Sequence, residues 1–273
     1  MTTSKSLMIA SVSSCIIITF IAILLVFLLP FPLIHAHIFS SNESASFISL
    51  IDEIKSTLNV ISKNNSSNAE IIIEQIGYSR ALLNDTMVEE IQEKNQRLAE
   101  ELPRAFESIH NLTGDELNSN ISRLQDLLSE TIDARVEDEQ LKNTTIQALA
   151  VAENVDKVFA QYISAYNNSV TQFDMNMTMK KNTTPNKEIN GEVPNDIQAY
   201  YRALELVEIA IDRFNSELKN NSENVSAAQE ALGGLEKLRN AINNREPPSN
   251  LMGLVHGQIH PNLQKAFELQ LAI

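Results

Sequence analysis

The first hydrophobic run of the chain, Leu7 to Leu29, constrains its architecture more than any other feature. The run carries no charged side chain, and about 20 apolar residues suffice to cross a bilayer core as a helix. A helix also satisfies its own backbone hydrogen bonds where no water is present. Pro30 and Pro32 follow the run and favour the end of a helix there. The sequence therefore predicts a transmembrane helix over about 7–29.

This run has two interpretations: it is a retained signal anchor, or it is a signal peptide that is cleaved after Ala36. It exceeds the roughly 7–15 residues of a signal-peptide core, which favours the anchor. Lys5 is the only charged side chain before His37, and positive charge stays on the cytoplasmic side. We therefore expect a single-pass membrane protein whose residues 1–36 form a cytosolic stub, the anchor and a linker. Residues 37–273 then form an extracytoplasmic domain, which cleavage after Ala36 would release as a secreted protein.

The charge and cysteine content narrow the class of protein further. The chain has 35 Asp and Glu against 21 Lys and Arg, for a formal net charge of −14. Nucleic-acid binders concentrate positive charge, so this composition argues against them. The single cysteine, Cys15, lies inside the hydrophobic run. Intrachain disulfides, thiol catalysis and Cys/His zinc sites are therefore excluded from the predicted domain, whose stability must come from a hydrophobic core.

Acceptor sequences for N-glycosylation are unusually frequent in the predicted domain. The pattern Asn-x-Ser/Thr, with x not Pro, occurs twelve times after His37 and never before it. Composition alone predicts about four matches, and each match is a weak hypothesis by itself. Together they favour an extracytoplasmic glycoprotein. The candidate asparagines are Asn42, Asn64, Asn65, Asn84, Asn111, Asn120, Asn143, Asn167, Asn176, Asn182, Asn220 and Asn224.

Apolar residues recur at helical spacing through almost the whole domain, and no strand-like alternation lasts beyond a few residues. The stripe over 69–111 repeats every eleven residues, which is typical of a straight or slightly right-handed seam. Pro103 is expected to kink this helix. The predicted helices cover about 44–62, 69–111, 115–179, 197–218 and 223–243, and a closing helix begins near Pro261.

The region over 115–179 is either one very long helix or two helices with a joint near 137–144. Thr144 and Gln147 lie three residues apart, as in a capping box, which favours a helix start at the joint. The segment over about 180–194 combines Lys, Asn, Pro and Gly, and we interpret it as a long exposed loop.

The most regular pattern lies over 197–218, where apolar residues alternate in steps of three and four. This is coiled-coil spacing, and Asn195 is a suitable N-cap for the helix. We expect this helix to offer a face to a protein partner or to a second copy of the chain. The face would be formed by Ile197, Leu204, Ile211 and Leu218.

Gly233 and Gly234 interrupt the apolar pattern of the helix over 223–243, and we interpret them as a close helix crossing. Short breaks between long amphipathic helices favour antiparallel neighbours. The predicted fold class is all-α: an N-terminal transmembrane helix followed by an elongated antiparallel helical bundle with coiled-coil-like packing. A helix of 40 residues in such a bundle would be about 60 Å long.

Histidines are the only candidate metal ligands that we single out. His256 and His260 lie four residues apart, but Gly257 and Pro261 argue against a regular helix across both. After cleavage at Ala36 the new terminus would be His37, whose amine and ring form a strong copper chelate when a second histidine joins. His37 with His256 or His260 is therefore a weak candidate copper site.

No nucleotide-binding, hydrolase or metalloprotease motif occurs in the chain, and we expect neither an enzyme nor a bound cofactor. The layout is similar to that of archaeal surface proteins and, broadly, of helical sensor ectodomains. The sequence favours a membrane-anchored extracytoplasmic helical glycoprotein with a structural or protein-interaction role. The alternative is an extracytoplasmic ligand- or metal-binding protein, with copper as the candidate metal.

Overall fold

Helices are the only regular elements in the part of the chain that the structure describes. The structure is a computed structural model that describes residues 42–64, 69–110, 112–166 and 193–270, all within one compact unit. The helices are α1 (Glu43–Asn64), α2 (Ala69–Leu82), α3 (Asp85–Lys94), α4 (Gln96–Ser108), α5 (Gly114–Arg135), α6 (Asp138–Leu141), α7 (Thr144–Tyr166), α8 (Ile197–Arg213), α9 (Val225–Asn243), α10 (Pro248–Leu254) and α11 (His260–Phe267). Two π-helical turns, π1 (Phe214–Leu218) and π2 (Val255–Ile259), follow α8 and α10.

The predicted fold class, a transmembrane helix followed by an elongated bundle, requires correction. Among the described residues, no helix is both long enough and apolar enough to cross a membrane. The predicted span, Leu7–Leu29, and the predicted linker to His37 lie outside the described residues. The all-helical part of the prediction is confirmed for the described residues, which contain no strand.

The helices are also shorter than the sequence predicts. The longest one described, α7, has 23 residues and a length of about 35 Å. The predicted helix over 69–111 is divided into α2, α3 and α4, and the breaks fall at Asn84 and Asn95. The side-chain oxygen of each asparagine accepts a hydrogen bond from the backbone N–H three residues on, at 3.0 and 3.3 Å. Such caps favour a new helix start. Pro103, where the sequence predicts a kink, lies inside α4 and does not end it.

The region over 115–179 contains two long helices rather than one. α5 ends at Arg135, the short α6 follows, and α7 begins at Thr144. The cap of α7 is Asn143, whose Oδ1 accepts hydrogen bonds from Thr145 N at 2.9 Å and Ile146 N at 3.4 Å. The predicted capping box is therefore wrong, because Gln147 instead donates to the Leu141 carbonyl at 2.7 Å.

The central element of the unit is α1, which packs against α2, α5, α7 and α8. It runs parallel to α7 and antiparallel to α5, since Asn59 and Gln125 are hydrogen-bonded near one end of the α1–α5 pair and Glu43 and Arg135 near the other. Helix α1 is therefore enclosed on several faces rather than amphipathic. Its fully or nearly buried polar residues are Ser44, Ser49, Asp52, Glu53, Ser56 and Thr57.

Helix α8 packs antiparallel to α7, and its N-cap lies one residue after the predicted cap. Asp196, not Asn195, caps it by accepting hydrogen bonds from the backbone N–H of Gln198 and Ala199 at 3.0 and 2.9 Å. Asn195 instead donates to the carbonyl of Tyr166, the last residue of α7, at 2.9 Å. Of the predicted loop over 180–194, the segment 180–192 lies outside the described residues.

The glycine pair in α9 makes the predicted close crossing through Gly234. A methyl group added there would lie 2.7 Å from Cγ1 of Ile259, which belongs to π2. Gly233 faces open space, with no atom within 4 Å of the position of an added methyl. One glycine of the pair thus permits α9 and π2 to pack closely, and the other does not take part.

Candidate functional site

A buried ion pair joins α1, α7 and α8 at the centre of the unit. Arg213 donates from Nε and Nη2 to the two carboxylate oxygens of Asp52, at 2.8 and 2.7 Å. Asn154 also donates to Asp52 at 2.8 Å and accepts from Ser49 at 2.8 Å, while Nη1 of Arg213 donates to Gln147 at 2.9 Å. We call these five residues the Asp52 network. A bidentate arginine–carboxylate pair has a fixed geometry, so the network specifies how the three helices pack.

A second network lies further along the same helices and includes α2. The hydroxyl of Tyr78 donates to Glu53 at 2.6 Å, and Gln161 also donates to Glu53, at 3.3 Å. Arg202 donates to Gln161 at 3.1 Å and to Gln75 at 2.9 Å. Burial and the negative charge of Glu53 raise the pKa of Tyr78, so its hydroxyl stays protonated. We call these five residues the Glu53 network.

A cavity of about 250 Å³ lies beside the Asp52 network, where α5 and α8 end and α7 begins. Its charged lining residues are Arg213, whose side chain is 15% exposed, and the exposed carboxylates Asp133 and Glu217. Lys55 stands behind the wall and donates to Ser129 at 2.7 Å. The complete lining is Ser129, Ile132, Asp133, Leu141, Gln147, Arg213 and Glu217.

Unused hydrogen-bonding capacity distinguishes this cavity. A guanidinium has five N–H donors, and three of those of Arg213 are used in the Asp52 network. Asp133 and Glu217 take part in no ion pair among the described residues. Burial lowers the pKa of Lys55, and the positive charge of Arg213 contributes to this, although Asp52 and Asp133 oppose it. A concave polar site with a perturbed titratable group is a candidate binding site.

A larger cleft, of about 550 Å³, lies between α9 and α10 but has fewer unused polar groups. Its lining includes Lys237, Glu246 and Asn250. Lys237 donates to Gln258 at 3.2 Å, and Asn250 donates to Glu246 at 3.2 Å. Both charged groups of this cleft, Lys237 and Glu246, therefore have hydrogen-bond partners within the described unit.

The two predicted metal-ligand histidines come together because the chain stays helical from α10 through π2 into α11, which places residues four apart on one face. The rings of His256 and His260 lie edge to face with their centroids 5.4 Å apart. His256 is exposed, whereas His260 is buried and faces a carboxylate oxygen of Asp156 at 3.4 Å. Burial lowers the pKa of His260 to about 4, with a contribution from His256. Burial and the charge of Glu153 raise the pKa of Asp156 to about 7.

These groups do not form a metal centre within the described part of the chain. No three His, Cys, Asp or Glu side chains among residues 42–64, 69–110, 112–166 and 193–270 are placed to hold a metal ion. His37, whose amine and ring form the chelate of the predicted copper site, lies outside those ranges. The desolvated pair of His260 and Asp156 instead joins α11 to α7.

Six of the twelve candidate glycosylation asparagines are described with their side chains. Asn42, Asn84, Asn143 and Asn224 precede helices, and Oδ1 of each accepts a backbone N–H of the following turn. Part of the excess of this pattern therefore has a structural cause, because Asn is a preferred N-cap. Asn120 lies within α5 and Asn220 follows π1. The side chains of Asn64, Asn65, Asn111, Asn167, Asn176 and Asn182 lie outside the description.

The predicted partner-binding face of α8 is largely used inside the chain. Ile211 is 6% exposed, and Leu218, now in π1, is fully buried. Ile197 and Leu204 are partly buried and pack against the same core. The three-and-four spacing therefore reflects packing of α8 between α7, α1 and α9.

Comparison with protein-family models, with curated proteins and with solved structures finds no match to this chain. A functional proposal therefore rests on the sequence and on the geometry of the described residues.

Proposed function

We propose that the described unit belongs to an exported, N-glycosylated helical protein with a structural or protein-interaction role. The export part rests on the uncharged run Leu7–Leu29, since apolar runs near an N-terminus direct export. The glycosylation part rests on the twelve acceptor sequences that follow the run. The six described candidates avoid the middle of most helices, so glycans attached there would leave the helix flanks accessible to a partner.

The observation that carries the structural role is the pair of buried networks around α1. The predicted domain has no cysteine, so no disulfide can stiffen it. The Asp52 and Glu53 networks instead fasten α1 to α2, α7 and α8 through directional hydrogen bonds. Buried charges are costly unless each has its partners, so such networks favour one packing arrangement. A rigid helical unit of this kind is suited to presenting a fixed surface.

The surface of the unit favours a partner with complementary charge. The chain has a net charge of −14, and complementary charge increases the association rate and excludes unsuitable partners. Because Ile211 and Leu218 lie in the core, we place the binding surface on polar helix flanks rather than on α8. A partner with a basic surface is the class that this charge favours.

Intact mass and N-terminal sequencing of the protein from its native cells test export and glycosylation together. We expect a mass above that of the polypeptide, reduced by enzymatic or chemical deglycosylation. An unmodified mass would refute the glycoprotein proposal. If the chain begins at His37, a copper titration with His256→Ala as the control variant tests the alternative metal-binding function.

Chemical cross-linking in intact cells followed by mass spectrometry tests the interaction role. We expect cross-links from lysines on the helix flanks, such as Lys94 and Lys237, to one recurring protein. These cross-links should weaken as the salt concentration rises, because exposed charges are screened. The absence of any recurring partner, together with a monomer at all concentrations in light scattering, would refute the proposal.

A further inference from the structure

We propose that the cavity beside Arg213 binds a small zwitterion of the amino-acid type, whose ammonium group lies at Asp133 and Glu217 and whose carboxylate binds the guanidinium. This inference does not depend on the proposed interaction role. It follows from the charges that line the cavity and from the hydrogen-bonding capacity that the described residues leave unused.

The rim of the cavity is anionic. Asp133 lies in the last turn of α5 and Glu217 in π1, and both side chains are exposed. Neither carboxylate has an ion-pair partner within the described ranges. Carboxylates near helix C-termini are disfavoured by the helix dipole. A cationic group bound between them would therefore relieve an unfavourable arrangement.

The buried side of the cavity contains the hydrogen-bond donors of Arg213. Nε, Nη1 and Nη2 of Arg213 each donate once within the Asp52 network, which leaves two N–H groups of its terminal nitrogens. The network holds the guanidinium in place, so a carboxylate would meet a preorganised donor. Lys55 donates a hydrogen bond to Ser129 in the same wall and adds a positive charge. Burial removes water from this ammonium group.

Size and apolar lining restrict the ligand further. A volume of about 250 Å³ lies just below the roughly 300 Å³ at which pockets for drug-sized ligands begin. Ile132 and Leu141 contribute the apolar part of the wall, which suits a short aliphatic side chain. A molecule with an ammonium, a carboxylate and a small branched alkyl group matches all three features.

Isothermal titration calorimetry on the full chain with three matched probes tests the proposal. The probes are L-valine, isobutylamine, which lacks the carboxylate, and isovalerate, which lacks the ammonium group. We expect L-valine to bind at least tenfold more tightly than either analogue, because each analogue leaves one charged group of the site without its partner. Equal binding of all three probes, or no binding of L-valine at millimolar concentration, would overturn the proposal.

Two rim variants assign the ammonium end. Asp133→Asn and Glu217→Gln should each reduce the affinity for L-valine at least tenfold without reducing that for isovalerate, an anion that the rim carboxylates repel. Both side chains are exposed and outside the ion pairs of the described unit, so the fold should persist, which the melting temperature checks. The matched control is Glu236→Gln, an exposed glutamate on α9 away from the cavity. A similar loss in the control, or no loss in either rim variant, would refute the assignment.

Discussion

Replacing Gly234 with alanine should destabilise the protein, although alanine is the better helix former. Of the two glycines in α9, only Gly234 lies in close contact with π2. An added methyl group would lie 2.7 Å from Cγ1 of Ile259, well inside van der Waals contact. Ile259 is fully buried and β-branched, so its Cγ1 has little freedom to move away.

The magnitude follows from two opposing contributions. Alanine in a helix interior is favoured over glycine by about 1 kcal/mol. Overpacking a well-packed core costs about 1–3 kcal/mol. We therefore expect Gly234→Ala to lower the free energy of unfolding by about 1 kcal/mol.

The neighbouring glycine provides a matched control. Gly233→Ala makes the same chemical change one residue earlier in the same helix, where no atom lies within 4 Å of the added methyl. It should gain the helix-propensity term alone and stabilise by about 1 kcal/mol. Because that term cancels between the two variants, their difference measures the packing cost directly, at about 1–3 kcal/mol.

Urea unfolding followed by circular dichroism measures both variants. A double-mutant cycle with Ile259→Ala identifies the contact. That substitution removes the Cγ1 atom, so Gly234→Ala should then keep only the helix-propensity gain of about 1 kcal/mol. Ile259→Val would not serve, because valine retains an atom at the Cγ1 position. If Gly233→Ala and Gly234→Ala have equal stabilities, the inferred close approach is wrong.

Three further predictions concern single polar groups. Asn95→Ala should lower the free energy of unfolding by about 1 kcal/mol through loss of a helix cap, and an unchanged urea midpoint would contradict this. Asp52→Asn should cost about 3 kcal/mol, because it leaves the guanidinium of Arg213 without its charged partner in a mostly buried site; a cost below about 1 kcal/mol would show that the pair is solvated. Burial lowers the pKa of His260 to about 4, so the unfolded chain binds the proton first, and the contribution of His260 to stability should fall by up to about 3 kcal/mol as the pH drops from 6.5 to 4. His260→Gln should lose this fall; Asp156, whose pKa burial raises to about 7, acts with the opposite sign in both proteins, and equal pH profiles would contradict the prediction.

The helical class and most helix locations could be predicted because apolar spacing is a local property. The stripes over 44–62, 197–218 and 223–243 each correspond to a described helix or to a helix with its π turn. The breaks at Asn84 and Asn95 could not be predicted in the same way. A single asparagine inside an apolar stripe is compatible with a continuous helix, and only tertiary packing selects the capped alternative.

The buried charged groups of the two networks could not be predicted from the sequence either. Asp52 and Glu53 lie between the apolar residues of α1, and the helical spacing of those residues predicts that both acidic side chains face solvent. In the structure both are buried. Arg213, the partner of Asp52, is 161 residues away in the chain, and the partners of Glu53, Tyr78 and Lys157, lie on two other helices. One sequence contains no signal that pairs these residues. A surface interpretation of such residues is correct for most helices, because surface charges outnumber buried ones.

The same reasoning explains why the cavity has no sequence signature. Its charged lining combines Arg213 and Glu217, which lie four residues apart as neighbours on one helix face, with Asp133 from α5. Only the fold brings Asp133 to the other two, because α5 contributes to the same cavity wall as the end of α8 and π1. The guanidinium of Arg213 therefore has two roles: it joins the helices through Asp52, and it offers hydrogen-bond donors to the cavity. Asp52→Asn should consequently change the affinity for L-valine as well as stability, whereas Asp133→Asn should change the affinity alone; if Asp52→Asn leaves a folded protein with unchanged affinity for L-valine, Arg213 is not the carboxylate-binding group.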